Sequence, residues 1–402
     1  GAAAAAGSAG AAAAIAELRE EWEALLDCLS SAGIVRYETF AAQLHRRRFE
    51  RARRAHPCSW PCISLADVHE SGGMDLGMAR FGGLPTVLAL AACSRAVGRR
   101  VSLIVKPMLQ QAQHKLLICG GHDGSQVLSS VERFDPARSL WEALPPLWQR
   151  RYASTAAVLR GRLYVCGGHD GHQELASAER YDPVADAWEV LPPLSQPRRG
   201  AAAASLGCHI YLCGGDVQQQ AMDSVERFDP EAGVWEVMPS LTQRRYAAGA
   251  VAVSGLLYVC GGIDGQWALR DTERFDHTRL MWEVVPPLMQ PRSVIAAAVL
   301  EGCLYVCGGH NGRQELNTAE RFDPATGVWE ALPSFSQRRS GAATSVVAGR
   351  LYVCGGYDGL QVLNSMERFD PEQGTWEPLP TLPLMSERRD HAVAGCFSGF
   401  QV

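Results

Sequence analysis

The chain has 402 residues, 47% of them hydrophobic, enough for two or three ordinary globular domains. A formal net charge of −5 supplies no bulk attraction for nucleic acid, and no stretch stays apolar for the roughly 18 residues a membrane-spanning helix needs. Thirteen cysteines could suggest a disulfide framework, but six of them recur once per repeat, which argues instead for a reducing compartment, cytoplasmic or nuclear.

Residues 1–14 are almost all Ala and Gly with no charged leading segment, so a signal peptide is not expected. The chain opens at Gly1 rather than Met, and the expectation leaves room for a further domain before it. Residues 15–31 carry apolar side chains at helical spacing, including Leu18, Trp22, Leu25 and Leu26, and are read as a helix. The basic stretch at 45–54 is read first as a solvated helix face, with nucleic-acid binding or nuclear import as alternatives. His56, Cys58, Cys62 and His69 contain zinc-ligand types, but their spacing matches no common site, so no metal is assigned. Residues 83–101 combine Leu84-Pro85, a helical apolar run and Cys93-Ser94-Arg95, and resemble the second half of an F-box. That resemblance implies a ubiquitin-ligase scaffold as a partner. A BTB domain is not recognisable in this region. Residues 15–114 are therefore taken as a helical or irregular region of unknown role.

From residue 115 the chain repeats. Gly-Gly pairs stand at Gly120-Gly121, Gly167-Gly168, Gly214-Gly215, Gly261-Gly262, Gly308-Gly309 and Gly355-Gly356, a constant step of 47 residues. Trp141, Trp188, Trp235, Trp282, Trp329 and Trp376 keep the same step, and so do six Glu-Arg pairs from Glu132-Arg133 to Glu367-Arg368. Within one period, ASTAAVL, LYVCGG, SAERYDP and AWEVLPP read as four short strands, separated by turns at Gly161 and Asp170-Gly171 and stopped by prolines. Four antiparallel strands repeated six times predict an all-β, six-bladed propeller over residues 115–402. The first blade lacks an opening strand, while residues 391–400 are an opening strand with nothing after them. The C-terminal strand is therefore expected to complete the first blade and remove the open edges.

The combination of Gly-Gly after an apolar strand, Glu-Arg-Phe/Tyr-Asp-Pro, Trp-Glu and Leu-Pro-Pro resembles the Kelch repeat. It is particularly similar to the Kelch domains of Kelch-like ubiquitin-ligase adaptors. The resemblance implies a protein-binding propeller whose loop face holds the segment of a substrate that marks it for ubiquitination.

Features present in every blade are read as scaffold. The glycine pairs suit positive φ and close backbone approach, and the periodic tryptophans suit packing between blades. The Glu-Arg pairs are expected to be ion-paired across strands or blades. A phosphate loop is excluded because no Lys-Ser/Thr follows the glycines and no helix begins there. Cys119, Cys166, Cys213, Cys260, Cys307 and Cys354 are small buried residues on this reading. Tyr and Cys two residues apart share a strand face in five blades, as in Tyr164 and Cys166, and are likewise assigned to the core.

Departures from the repeat are read as function. Strand direction places the loop after the second strand and the connection to the next blade at one end. One arginine per connection (Arg151, Arg198, Arg245, Arg292, Arg339, Arg389) keeps the repeat position, whereas Arg150, Arg199, Arg244 and Arg338 break it. Trp148, Trp267, Tyr152 and Tyr246 lie in the same loops, with His122, His169, His310 and Tyr357 opposite. Arg, Trp and Tyr dominate interface hot spots, so these twelve residues are the candidate partner-binding set. Arginines on a net acidic protein point to a protein or peptide partner bearing carboxylates or phosphates. No nucleophile–base–acid set can be placed and no cofactor is expected, so a non-enzymatic binding module is the leading expectation. The alternatives are a cytoskeletal scaffold for filaments such as actin, and a Kelch-fold metal enzyme hinted at only by His122, His169 and His310.

Overall fold

The structure, a computed structural model, describes residues 115–136, 138–377 and 382–397. The expected helix at 15–31, the basic stretch, the His56–His69 cluster and the F-box-like segment lie outside the described residues. Within them, six four-stranded antiparallel sheets form the six blades of a propeller. Blade 2 runs from the axis outward as Thr155–Leu159, Arg162–Cys166, Ala178–Asp182 and Ala187–Leu191. Blades 3 to 6 repeat this order, and the outer strand of blade 6 shortens to Thr375–Trp376.

Blade 1 is made from both ends of the repeat region. Val393–Phe397 is its inner strand and pairs antiparallel with Lys115–Cys119, from Lys115 opposite Phe397 to Cys119 opposite Val393. Val131–Asp135 and Leu140–Leu144 complete it. The expected closure by the C-terminal strand is what the structure contains.

Burial explains the composition of each strand. Inner strands alternate buried and half-buried, and their small residues (Ala202, Ala204, Ala296, Ala298) fit where six strands crowd the axis. Second strands are buried on both faces because each blade is packed against a neighbour on either side. Alternate residues therefore enter different cores. Leu163 and Val165 of blade 2 pack against blade 1, with Leu117, Cys119 and Phe397. Tyr164 and Cys166 pack against blade 3, with Ile210, Leu212 and Phe228. Six clusters of this kind, one per blade interface, replace a single central core. The six periodic thiols are buried there, and burial pushes each up to about 12, so none is a thiolate near neutral pH.

The tryptophans join neighbouring blades at the outer side. Trp188 rests on Tyr181 of its own blade, and its indole N–H donates to Pro145 O of the blade before it at 2.9 Å. Trp235, Trp282, Trp329 and Trp376 repeat the bond with Pro192, Pro239, Pro286 and Pro333. Trp141 closes the circle on Pro383.

The repeat arginines staple the blades. Arg245 accepts Gly215 N–H of blade 3 at its own carbonyl, while its guanidinium enters blade 4. There Nη1 donates to Gly261 O at 2.7 Å and Asp271 O at 3.0 Å, and Nη2 to Glu273 Oε1 at 2.6 Å. The second oxygen of Glu273 accepts Thr242 N–H. Arg151–Glu179, Arg198–Glu226, Arg292–Glu320, Arg339–Glu367 and Arg389–Glu132 repeat the arrangement, every guanidinium being fully buried. The two members of a Glu-Arg pair thus do not bond each other. The Glu meets a staple arginine, and the adjacent Arg, on the opposite strand face, meets a Glu of the outer strand, as Arg133 does Glu142 at 2.6 Å.

The first glycine of each pair is required by this staple. At Gly214 (φ +62°) an added Cβ would stand 2.2 Å from Arg245 O, whereas at Gly233 (φ +68°) it would meet nothing within 4 Å. Gly233→Ala is expected to cost only the left-handed penalty, about 1–2 kcal/mol. Gly214→Ala adds a backbone clash, for a total of about 2–5 kcal/mol. Paired urea titrations of the two variants measure the difference.

Candidate functional site

Both loop types meet at one end of the propeller. Tyr152 bridges His169, Arg199 bridges Asp216, Tyr246 bridges Ile263, Ser293 bridges His310, Ser340 bridges Tyr357 and Asp390 bridges His122. These pairs put the residue just after each staple arginine at the mouth of the axis.

The next residue in each connection forms a ring around the axis. Ala153, Gly200, Ala247, Val294, Gly341 and His391 all have positive φ, between 47° and 63°. Their backbones form a closed ring of six hydrogen bonds, each N–H donating to the carbonyl of the preceding member, at 2.6–3.1 Å. The ring uses the backbone N–H and the carbonyl of all six residues. A cavity of about 210 Å³ is lined by these six residues, by the residue that follows each of them, and by Tyr152, Arg199 and Tyr246.

The side chains around this cavity are not symmetric. Tyr152, Arg199 and Tyr246 come from blades 2, 3 and 4, while Ser293, Ser340 and Asp390 occupy the same positions on blades 5, 6 and 1. Arg199 donates from Nε to Asp216, a carboxylate only 1% exposed. The bond to Asp216 raises the Arg199 pKa against the pull of burial, with Tyr152 also beside it. Burial pushes the Tyr246 hydroxyl up, and Asp216 adds to the rise. His391 Nδ1 lies 3.4 Å from Asp390 Oδ2, and its ring meets Tyr152 edge-on at 6.3 Å. Blade 3 also differs in backbone: its hairpin, Asp216–Val217 with Gln220–Ala221, turns through Gln218 and Gln219 at positive φ instead of Asp-Gly.

Of the twelve candidate residues, the structure brings Tyr152, Arg199 and Tyr246 together on the cavity. The others lie elsewhere on the face. Trp148 is 73% exposed, and its indole N–H donates to Trp188 O in the outer strand of blade 2. Trp267 is 72% exposed in the blade 4 hairpin, where Asp264 accepts its backbone N–H. Arg150 is exposed and bonded to the His172 ring at 2.9 Å, and Arg244 and Arg338 are exposed. Tyr357 is half-buried at its bridge to Ser340.

His122, His169 and His310 perform one local task. Each Nδ1 accepts the N–H of the glycine two residues on, Gly124, Gly171 or Gly312, at 2.9–3.0 Å. They cap turns on blades 1, 2 and 5. Among the described residues, no three His, Cys, Asp or Glu side chains gather as metal ligands would. His391, Asp390, Asp216 and Val294 belong to the site and were absent from the sequence-based set. Alignment of the second residue after each staple arginine would have found two of them: the column reads Ala, Gly, Ala, Val, Gly, His, and only its last member is titratable.

The family model described as the KLHDC2/KLHL20/DRC7 Kelch-repeats domain matches residues 105–262 and 200–398. The solved structure titled "Structure of YjhT" is similar over 65% of this chain and 96% of its own, with a TM-score of 0.55 at 16% identity, a likeness of fold alone. No curated protein matches the chain.

Proposed function

Because the chain belongs to the Kelch-repeat family, we propose that its propeller is a substrate-recognition module that holds a segment of a protein partner in the axial bowl and presents it for ubiquitination. Kelch propellers of this type bind proteins. The observation that carries the reading is the broken symmetry: a scaffold repeated six times carries Tyr, Arg and Tyr on three successive blades, all lining the cavity, and Ser, Ser and Asp at the same position on the other three. Equivalent blades need no such difference to fold, whereas an asymmetric peptide needs it to bind in one orientation. Exposed Arg150, Arg244, Arg338 and Arg388 on the same face favour a partner bearing carboxylates or phosphates, by attraction at the approach stage more than by contact. The ubiquitination half of the proposal is supported by the resemblance to Kelch-like adaptors. Nine free thiols among the described residues support action in the cytoplasm or nucleus.

Affinity capture from cells tests both halves. The intact chain is compared with a Tyr152→Ala/Arg199→Ala/Tyr246→Ala variant and with a Trp148→Ala/Trp267→Ala variant. The axial variant is expected to lose one set of partners at least tenfold, the tryptophan variant to keep them, and ligase subunits to copurify with all three. Identical partner lists would remove the bowl from the proposal. A lack of ligase subunits throughout would remove the ubiquitination role.

A further inference from the structure

We propose that the outer strand of blade 4, on the perimeter of the propeller, is a self-association edge that pairs antiparallel with the same strand of a second copy of this chain.

A residue out of place marks the edge. The turn into each outer strand holds one residue at positive φ: Ser139, Asp186, Gly233, Leu280, Gly327 and Gly374, between 51° and 71°. Glycine takes that conformation freely and Asp tolerates it, whereas leucine is strained there. Leu280 is also 52% exposed, so little burial within the blade offsets the strain. Strain kept at an exposed apolar residue points to a contact outside the chain.

The strand that follows is open to pairing. Met281–Val285 is the end member of its sheet, so its outward backbone groups have no strand partner. In blade 6 the Glu377 N–H donates inward to Arg368 O, and Glu283 and Arg274 hold those places in blade 4. Alternate residues turn their backbone to the same side, so Trp282 and Val284 turn theirs to the free edge. Sheet edges are ordinarily guarded by charge, by proline or by shortness, and the outer strand of blade 6 has only two residues. Blade 4 alone exposes large apolar side chains at all three places, Leu280, Met281 and Val284; blade 3 comes next with Val234 and Val237.

Self-complementarity names the occupant. With Trp282 on a two-fold axis opposite the partner's Trp282, Leu280 stands opposite the partner's Val284, and Val284 opposite the partner's Leu280. Exposed Arg279 then lies diagonal to the partner's Glu283. Centring the pair on Glu283 instead would set two like charges opposite each other. Antiparallel pairing reverses the partner's strands, so the two loop faces point opposite ways and both bowls stay open.

Sedimentation velocity of the full chain at pH 7, under reducing conditions and over a range of chain concentrations, is the test. A dimer with a dissociation constant of about 10–100 µM is expected, as fits a seam smaller than a standard interface. Leu280→Gly should weaken it at least tenfold without lowering Tm, because it removes the contact and the strain together. Val284→Lys should abolish the dimer, whereas Val328→Lys, at an exposed position on the outer strand of blade 5, should leave it unchanged. Leu280→Glu/Val284→Lys sets each new acid opposite a new base of the second copy and should recover affinity to within tenfold of wild type. A chain that stays monomeric throughout the range overturns the proposal, as does a dimer unaffected by Val284→Lys. Equal loss in Val328→Lys removes blade 4 as the edge, and failure of the charge-paired variant to recover removes the antiparallel register.

Discussion

Arg245→Ala is expected to destabilise the propeller by about 3–5 kcal/mol, while Arg244→Ala, one residue away, changes stability by less than about 0.5 kcal/mol. The two side chains differ in surroundings and not in chemistry. Arg244 is exposed, whereas Arg245 is fully buried between blades 3 and 4. Truncating Arg245 leaves the Glu273 carboxylate, 1% exposed, with a backbone donor from Thr242 but no cation. It also strands Gly261 O, which its Nη1 had satisfied, while Asp271 O keeps the Gly261 N–H. An uncompensated buried charge is among the most costly single defects a fold can carry. The double variant Arg245→Met/Glu273→Leu removes the charge and should recover part of the loss. Recovery stays incomplete, because Gly261 O and the Thr242 N–H lose the partners they had. Chemical denaturation of the four proteins checks the order: Arg244→Ala near wild type, then the double variant, then Arg245→Ala lowest. Equal stability of Arg244→Ala and Arg245→Ala would show that the staple is not structural.

The contrast between these two arginines also shows what a sequence can convey. Arg245 is legible because its column holds arginine in every connection, and a requirement repeated six times belongs to the scaffold. The period itself, the four strands per blade and the closing role of Val393–Phe397 are legible for the same reason. The partner of each staple is not. Glu273 lies 28 residues beyond Arg245 and beside Arg274, so proximity in sequence suggests the wrong pair. Neighbouring strand residues face opposite ways, and the two side chains enter different environments.

Radial position is hidden in a similar way. Strand direction says which loops share a face, but not how far each residue stands from the axis. The connection runs inward from the outer strand of one blade to the inner strand of the next. Trp148, three residues before its staple Arg151, therefore lies over the outer strand of blade 2, while Tyr152, one residue after it, reaches the cavity. Arg199 follows Arg198 and lands on the axis, while Arg150, Arg244 and Arg338 precede their staples and stay outside. An arginine after the staple and an arginine before it look alike in sequence, and the staple is the marker that separates them.

Removing the last ten residues, 393–402, is expected to abolish the folded propeller at physiological temperature. The deletion takes the inner strand from blade 1 and with it every backbone bond to Lys115–Cys119. It also exposes both faces of the seam. Val393 and Phe397 are buried against Leu163, Val165 and Tyr181 of blade 2, and burial of two such side chains is worth about 3–6 kcal/mol. On the other face, Ala394 and Cys396 pack with Leu116, Ile118 and Tyr352 between blades 6 and 1. The second strand of blade 1 would then present an unpaired edge of buried apolar residues, Leu116 to Cys119, which invites pairing between molecules. Loss of the species that the intact chain forms on size-exclusion chromatography, with aggregation on heating, is the expected outcome. A circular permutant that begins at Asp390, runs to Val402 and joins through a flexible linker to Lys115 supplies the same strand as the first element of blade 1. It should restore the native Tm to within a few degrees, because the pairing needs the strand and not its position in the chain. Stability of the truncated protein equal to wild type would mean that closure of the ring does not depend on this strand. Failure of the permutant alone would place the requirement in the order of synthesis instead.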